Sequence, residues 1–274
     1  MTVYIAQGQP KSGSTFVFMA ALAMAEQINQ CEYYEFKKRV FGDRVEEFPD
    51  FYDTVFEEQL DAAMALVPED KVFLMKTHMG YDEATPRMLD LIRSGRVKFL
   101  TTFRDPRDAA VAILDVAAKE RAAGEDRWFW KYHEVSQLKN PIHYQSEMAY
   151  LWSQLEGGLS IPYYMIACAQ DACVERLAEY MGIGWAGKLF AAQMEARKRS
   201  LPEYNKGRVD RFIDDLAPSE IRVGNELWAQ RLRYYDSEVR RVMAENGLAM
   251  LAEHLISRRD RLVAERLASE PAAT

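Results

Sequence analysis

Residues Pro10-Lys11-Ser12-Gly13-Ser14-Thr15 carry the parts of an anion-binding loop. Gly13 permits close backbone approach, Lys11 offers a point charge, and Ser14 and Thr15 offer hydroxyls. Such a loop works when it leads from a strand into a helix. The first N–H groups of the helix lack intrahelical partners, and its dipole favours negative charge there. The G-x-x-x-x-G-K-[ST] phosphate loop does not fit. In that pattern the lysine follows the last glycine, and here Lys11 precedes Gly13 by two residues. Taken alone, the hexapeptide is equally compatible with a solvated loop at a helix start.

Three more segments hold residues suited to chemistry. Lys76-Thr77-His78 places a cation two residues from an imidazole, the side chain that titrates nearest operating pH and so suits a general base. Arg104-Asp105-Pro106-Arg107-Asp108 offers a guanidinium fork beside a helix-start proline. Lys206-Gly207-Arg208 is a basic turn. Each has an ordinary alternative: His78 as a strand-end donor to a backbone carbonyl, Arg104 paired with Asp108 at a helix cap, Lys206-Gly207 as a surface turn. His133, His143 and His254 are scattered, and no Cys/His group has zinc spacing, so no metal is expected.

The elements that must position these residues follow from hydrophobic periodicity. Residues 1–6 read as a strand, followed by the glycine loop and a helix from Ser14. A helix is predicted around residues 55–66 within an aromatic, charged region. Residues 71–75 read as a second strand, 84–94 as a helix and 97–103 as a third strand. The next helix spans about 106–122. Residues 126–157 read as helical in two pieces, interrupted near Pro141. A fourth strand is predicted at 163–169 and a helix from Asp171 to Met181, stopped by Gly182. Amphipathic helices follow near 218–245 and 248–268, with a frayed end at 269–274. Apolar strands alternating with helices predict an α/β fold: a central, mostly parallel sheet flanked by helices, with a helical C-terminal part.

The chain has 274 residues, enough for a sizeable core, and one domain over 1–274 is expected. Its 42 acidic and 35 basic residues give a net charge of −7. That balance argues against a general nucleic-acid surface and against a polybasic membrane surface. The longest apolar run, residues 16–25, is too short to span a bilayer. The residues before it are polar and turn-forming, unlike a basic signal-peptide start. Cys31, Cys168 and Cys173 suggest no disulfide framework and fit a reducing compartment. A cytoplasmic protein is the expectation.

Residues 10–16, Pro-Lys-Ser-Gly-Ser-Thr-Phe, resemble the P-K-S-G-[ST]-[ST]-[WF] loop of the PAPS-dependent sulfotransferases. PAPS is 3′-phosphoadenosine 5′-phosphosulfate, the activated sulfate donor. Lys76-Thr77-His78 resembles that family's K-T-H, and residues 104–108 its R-[DN]-P-[RK]-D. Lys206-Gly207 resembles the late R-K-G-x-x-G segment. Any one match is weak; four in family order, each after the expected element, are specific. The resemblance spans roughly residues 1–215.

What the resemblance implies is a P-loop NTPase-like fold and sulfuryl transfer from PAPS, as co-substrate, to a hydroxyl or amine of a small or lipid-like acceptor. Catalysis of this in-line, loose displacement rests on positioning and electrostatics. By analogy, His78 is the base and Lys11 stabilises the departing phosphate, with Lys76 adding positive charge near the sulfonate. Ser12, Gly13, Ser14 and Thr15 hold the phosphosulfate end, and Phe16 stacks. Arg104, Lys206, Gly207 and Arg208 serve the ribose phosphate.

Several positions depart from the family pattern. Ala112 stands where a phosphate-binding serine is usual, and Asn205 where the late arginine is expected. Asp210-Arg211-Phe212 replaces G-D-W. The family's fourth strand leads into a Tyr-Glu-Asp segment whose tyrosine approaches the adenine, and here Ala167-Cys168-Ala169-Gln170 has no aromatic. Three explanations stand: compensation by Arg208 or Arg211, weaker donor binding, or a diverged member with altered activity. A diverged, non-catalytic nucleotide-binding member of the same fold and, further off, an ATP-dependent P-loop kinase are the alternatives.

Overall fold

The computed structural model describes residues 2–27, 33–42, 57–66, 68, 70–184 and 207–269. Strand β1 (Thr2–Gly8) leads through the glycine loop into helix α1 (Ser14–Gln27). Helices α2 (Tyr33–Phe41) and α3 (Glu57–Leu66) precede β2 (Val72–Thr77). Helix α4 (Pro86–Arg93) connects to β3 (Val97–Phe103), and α5 (Pro106–Ala122) follows. After α6 (Lys139–Ser153) come β4 (Leu159–Pro162), α7 (Tyr163–Cys168) and α8 (Gln170–Tyr180). The C-terminal part is helical: α9 (Phe212–Asp215), α10 (Pro218–Leu227), α11 (Ala229–Glu245) and α12 (Ala249–Ala268).

The four strands form one parallel sheet in the order β2-β1-β3-β4. β2 is buried along its whole length and β1 along nearly all of it, as strands covered on both faces must be. Register decides where the ends fall. Gln7 pairs with Thr77, Gly8 with Thr102, and Phe103 with Pro162. The residues that follow each strand, Gln9, His78, Arg104 and Tyr163, therefore emerge along one edge. The chain order reverses between β1 and β3, the place where open α/β sheets bind ligands.

Three element predictions change. The fourth strand is residues 159–162, and 163–168 is helix. Tyr163-Tyr164-Met165-Ile166 is a short, fully buried apolar run, and periodicity cannot separate a buried strand from a buried helical turn. Gly157, at φ 81, releases the chain directly into the strand, which Pro162 closes. Residues 125–134 are not helical, and the helix from Lys139 runs through Pro141 without a break. Pro141 lies in the first turn, where its missing N–H has no helical partner to lose. The predicted helix over 218–245 is two, divided at Trp228, whose fully buried ring donates Nε1–H to the Lys139 carbonyl at 3.3 Å.

Candidate active site

The loop after β1 is pinned from three directions. The Gln9 amide donates to the Thr102 carbonyl, and the Ser12 amide to the Gln9 carbonyl. The Ser12 and Thr102 hydroxyls are hydrogen-bonded at 2.6 Å. Both polar groups of Ser12 are thus engaged inside the fold. Lys11 adopts φ 66 and Gly13 φ 90, so the backbone twists through the left-handed region twice within three residues. Helix α1 starts at Ser14, and its first turn faces the loop. Phe16 lies in the main core.

Gly13 is required on two counts. Its φ disfavours any side chain, and a β-carbon there would stand 2.8 Å from Ile166 Cδ1 and 3.3 Å from the Tyr163 ring. Gly13→Ala is expected to destabilise the fold by about 1–3 kcal/mol, read as a lowered Tm. An unchanged Tm would remove the tight-approach argument.

His78 follows directly on β2. Its Nδ1 lies 2.6 Å from the Gly8 carbonyl oxygen. A carbonyl only accepts, so Nδ1 carries the hydrogen and Nε2 presents its lone pair. Lys76 Nζ lies 3.4 Å from that Nε2. The strand-end hydrogen bond considered above as the ordinary alternative is therefore present, and it is also what orients a base. Lys11 Nζ lies over the Phe129 ring, 5.6 Å from its centre. The neighbouring Trp128 is 73% exposed.

Arg104 is 3% exposed and joins two segments far apart in sequence. Nη1 donates to the Lys11 carbonyl at 3.1 Å, and Nη2 to the Arg208 carbonyl at 3.0 Å. Nη2 also pairs with Asp108 Oδ2 at 3.2 Å. The guanidinium stacks on Tyr163, 4.0 Å from the ring centre. Its Nε is buried with no partner among the described residues. Asp108 in turn accepts the amides of Asp210 and Phe212 at 2.8 and 3.2 Å. Burial lifts the Asp108 carboxyl above the usual range against the pull of Arg104. Burial alone would also lift Asp105, but Arg107, at 2.7 Å, and Arg259 hold it below that range. Asp105 caps α5, and Pro106 opens it.

The described residues bring Lys11, Gly13, Lys76, His78, Arg104, Gly207 and Arg208 to the region beyond one sheet edge. Gly207 sits at φ 58, and the Arg208 side chain is exposed, paired with Asp214 at 2.7 Å. Lys206 and Asn205 lie outside the described residues. Arg211 is buried and engaged by Asp115 at 2.7 Å and by Asp215. Ala112 is fully buried. Tyr33, Phe36 and Phe41 are core, whereas Phe48 and Phe51 to Phe56 lie outside the described residues. A small, open pocket of about 20 Å³ lies beside Arg104, lined among others by Gln9, Phe103, Arg231 and Tyr235. Neither His78 nor Lys76 lines it, so it is separate from the base.

No protein-family model and no curated protein matches the sequence. Solved structures do match in shape. Mouse sulfotransferase SULT7A1, crystallised with PAP, superposes with a TM-score of 0.56 at 15% identity, covering 85% of this chain and 84% of that one. Retinol dehydratase, crystallised with androsterone and the inactive cofactor PAP, gives 0.51 at 16% identity, covering 84% and 80%. The fold is that of the sulfotransferases. The sulfotransferase fold spans most of the chain and extends past the motifs into the C-terminal helices.

The end of β4 bears on one departure from the family pattern. With β4 ending at Pro162, the residue that follows the strand is Tyr163, not Gln170. A tyrosine therefore does occupy the strand end, against Gly13 and Arg104. The sequence reading missed it because the strand was set too late. Gln9 and Asp108 as hubs were also missed, since their roles are long-range hydrogen bonds without a local pattern. Among the described residues no group of His, Cys, Asp and Glu could hold a metal ion, and no helix is long and apolar enough to cross a membrane.

Proposed function

We propose that the protein transfers a sulfuryl group from PAPS to a hydroxyl or amine of a small or lipid-like acceptor. The observation that carries this reading is the His78–Gly8 hydrogen bond. It fixes the imidazole with Nε2 as an acceptor beside Lys76, on the strand next to the Lys11 loop. In the proposed step the acceptor oxygen or nitrogen forms a bond to sulfur while the bond from sulfur to the bridging phosphate oxygen breaks. The acceptor proton goes to His78 Nε2. Lys11 balances the charge that builds on the departing phosphate, and Lys76 balances that on the sulfonate.

The residues fit the donor. The first turn of α1 with Gly13 suits its phosphosulfate end. The unpartnered Nε of Arg104 suits an oxygen of the ribose phosphate, and exposed Arg208 can reach the same group. Tyr163, at the end of β4, is the aromatic group offered to the adenine; Phe16, expected to stack, is packed into the core instead. Phe129 and exposed Trp128 and Trp130 supply apolar surface on the Lys11 side for the acceptor. We assign the protein to a cytoplasmic setting, where the donor is a small anionic metabolite.

Isothermal titration with adenosine 3′,5′-bisphosphate is expected to show one saturable site. Radiolabelled PAPS should then label members of a panel of hydroxyl and amine acceptors. Absence of bisphosphate binding, or magnesium-dependent ATP turnover in its place, overturns the proposal.

A further inference from the structure

Asp210 combines features that the proposed transfer does not use. Its φ is 58, in the left-handed region, at the position where the resembled family's G-D-W segment has glycine. The side chain is 5% exposed. Oδ1 accepts the Tyr164 hydroxyl at 2.6 Å, while Oδ2 is buried without a hydrogen-bond partner among the described residues. Its backbone N–H donates to the same Asp108 oxygen that holds Arg104. Asp210 is thus built into the junction between Arg104 and the segment carrying Gly207 and Arg208.

Three of the four guanidinium groups around it have closer carboxylate partners, and the fourth, Arg258, does not. Arg104 pairs with Asp108 and Arg107 with Asp105. Arg259 makes a two-pronged contact with Asp236 at 2.6 and 2.8 Å. Groups face Asp210 from every packed element: Tyr164 of α7, Asp105 and Asp108 at the start of α5, Tyr235 of α11, and Arg258 and Arg259 of α12. Arg258 stands 3.9 Å away, at the limit of an ion pair, and the Tyr235 hydroxyl is itself buried without a hydrogen-bond partner among the described residues. Burial and the carboxylates of Asp105 and Asp108 favour the neutral form of this carboxyl, against the hydrogen bond from Tyr164 and the charge of Arg259, while Arg258 stands half-exposed at the ion-pair limit.

We propose that Asp210 is a positioning residue for the donor segment and works in its protonated form. Neutral, it holds residues 207–212 against Asp108 and Arg104; ionised, it adds a third negative charge there, loosens the junction and weakens donor binding. This rests on the donor reading above. Burial pushes the Asp210 carboxyl up to about 7, so the change falls within the physiological range. The sign for stability follows. The carboxyl titrates higher in the folded chain than its ordinary 3.8, so stability falls as pH rises from about 4 to about 7.

The test is titration of adenosine 3′,5′-bisphosphate into the full chain and into Asp210→Asn, from about pH 5.5 to about pH 8.5, bracketing a carboxyl that titrates near 7. Asparagine keeps the acceptor for Tyr164 and tolerates the left-handed backbone. The ligand's own phosphates titrate near pH 6, so the variant supplies the baseline. The wild-type Kd is expected to weaken relative to the variant's on the order of tenfold across this range, as the competent fraction falls. The Tm of the variant should also lose the wild-type decline over the acid-to-neutral range. Should Asp210→Asn fail to fold by circular dichroism, Asp210→Gly takes its place, with the same flattening expected. Parallel curves overturn the role of Asp210 while leaving the donor reading intact. Absence of bisphosphate binding by either protein at every pH overturns the donor reading, and this proposal with it.

Discussion

His78→Ala is expected to lower kcat by roughly 10²–10⁴-fold while bisphosphate affinity changes little, because in the proposed step the imidazole takes the acceptor's proton and does not hold the nucleotide. The geometry makes the result separable from a folding defect. His78 Nδ1 donates to the Gly8 carbonyl, so alanine also removes a tether between β2 and the start of the loop. That loss costs about 1 kcal/mol, enough to shift Tm slightly and too little to unfold the chain. His78→Asn tests the same point differently. Its amide can donate to Gly8 as Nδ1 does, yet it carries no base. Both variants should be nearly inactive, with asparagine the more stable. Retention of a tenth or more of the activity in His78→Asn would assign proton transfer elsewhere. The steady-state rate and the Tm, measured on one preparation, decide it.

Arg104→Ala should produce the largest loss of stability. The guanidinium is buried and serves three partners, Asp108 one helical turn away and two carbonyls in distant segments, with Tyr163 stacked on its face. Truncation leaves Asp108 buried beside Asp105 without its cation. An uncompensated buried charge of this kind costs about 3–5 kcal/mol. In a chain of this size the Tm should fall on the order of 10 °C. The carbonyls of Lys11 and Arg208 lose their shared donor at the same time, so bisphosphate affinity should fall by about 100-fold or more. Arg104→Lys separates the two effects. An ammonium can still neutralise Asp108, but it cannot bridge two carbonyls and stack on a ring. Stability should largely return while donor affinity remains low. A double change, Arg104→Ala with Asp108→Asn, should recover part of the Tm, because the stranded charge is gone. A wild-type Tm in Arg104→Ala would show that the buried pair contributes nothing to the fold.

These two residues also mark how far a sequence reading reaches. The placement of His78 and Arg104 just after strands, and of Lys11 in the loop after β1, was legible because each lies in a short local pattern. The turn chemistry of Gly13, the proline start of α5 and the glycine stop at Gly182 are local effects and were read locally. The part played by Arg104 was only half legible. Its pairing with Asp108 is one helical turn away, but its donation to Lys11 and Arg208 crosses 93 and 104 positions. The fourth strand was misplaced because 163–166 is apolar and fully buried, so no face distinguishes helix from strand. That slip also hid Tyr163.

The sequence by itself determined the alternation of strands and helices and the glycine turn between β1 and α1, and it singled out the residues proposed for transfer, since these depend on neighbours within a few positions. The acidic total of the chain was no obstacle to an anion site, because placement and not the sum creates the local field. Tertiary structure alone decided the rest. The parallel register of β2, β1, β3 and β4 set which strand ends share an edge. It brought the Gly8 carbonyl to His78 and so chose the tautomer of the imidazole. It also closed Asp108, Asp210 and Tyr164 into one buried cluster. These outcomes follow from contacts between distant segments, whose free energy is realised only when the sheet and its covering helices have packed.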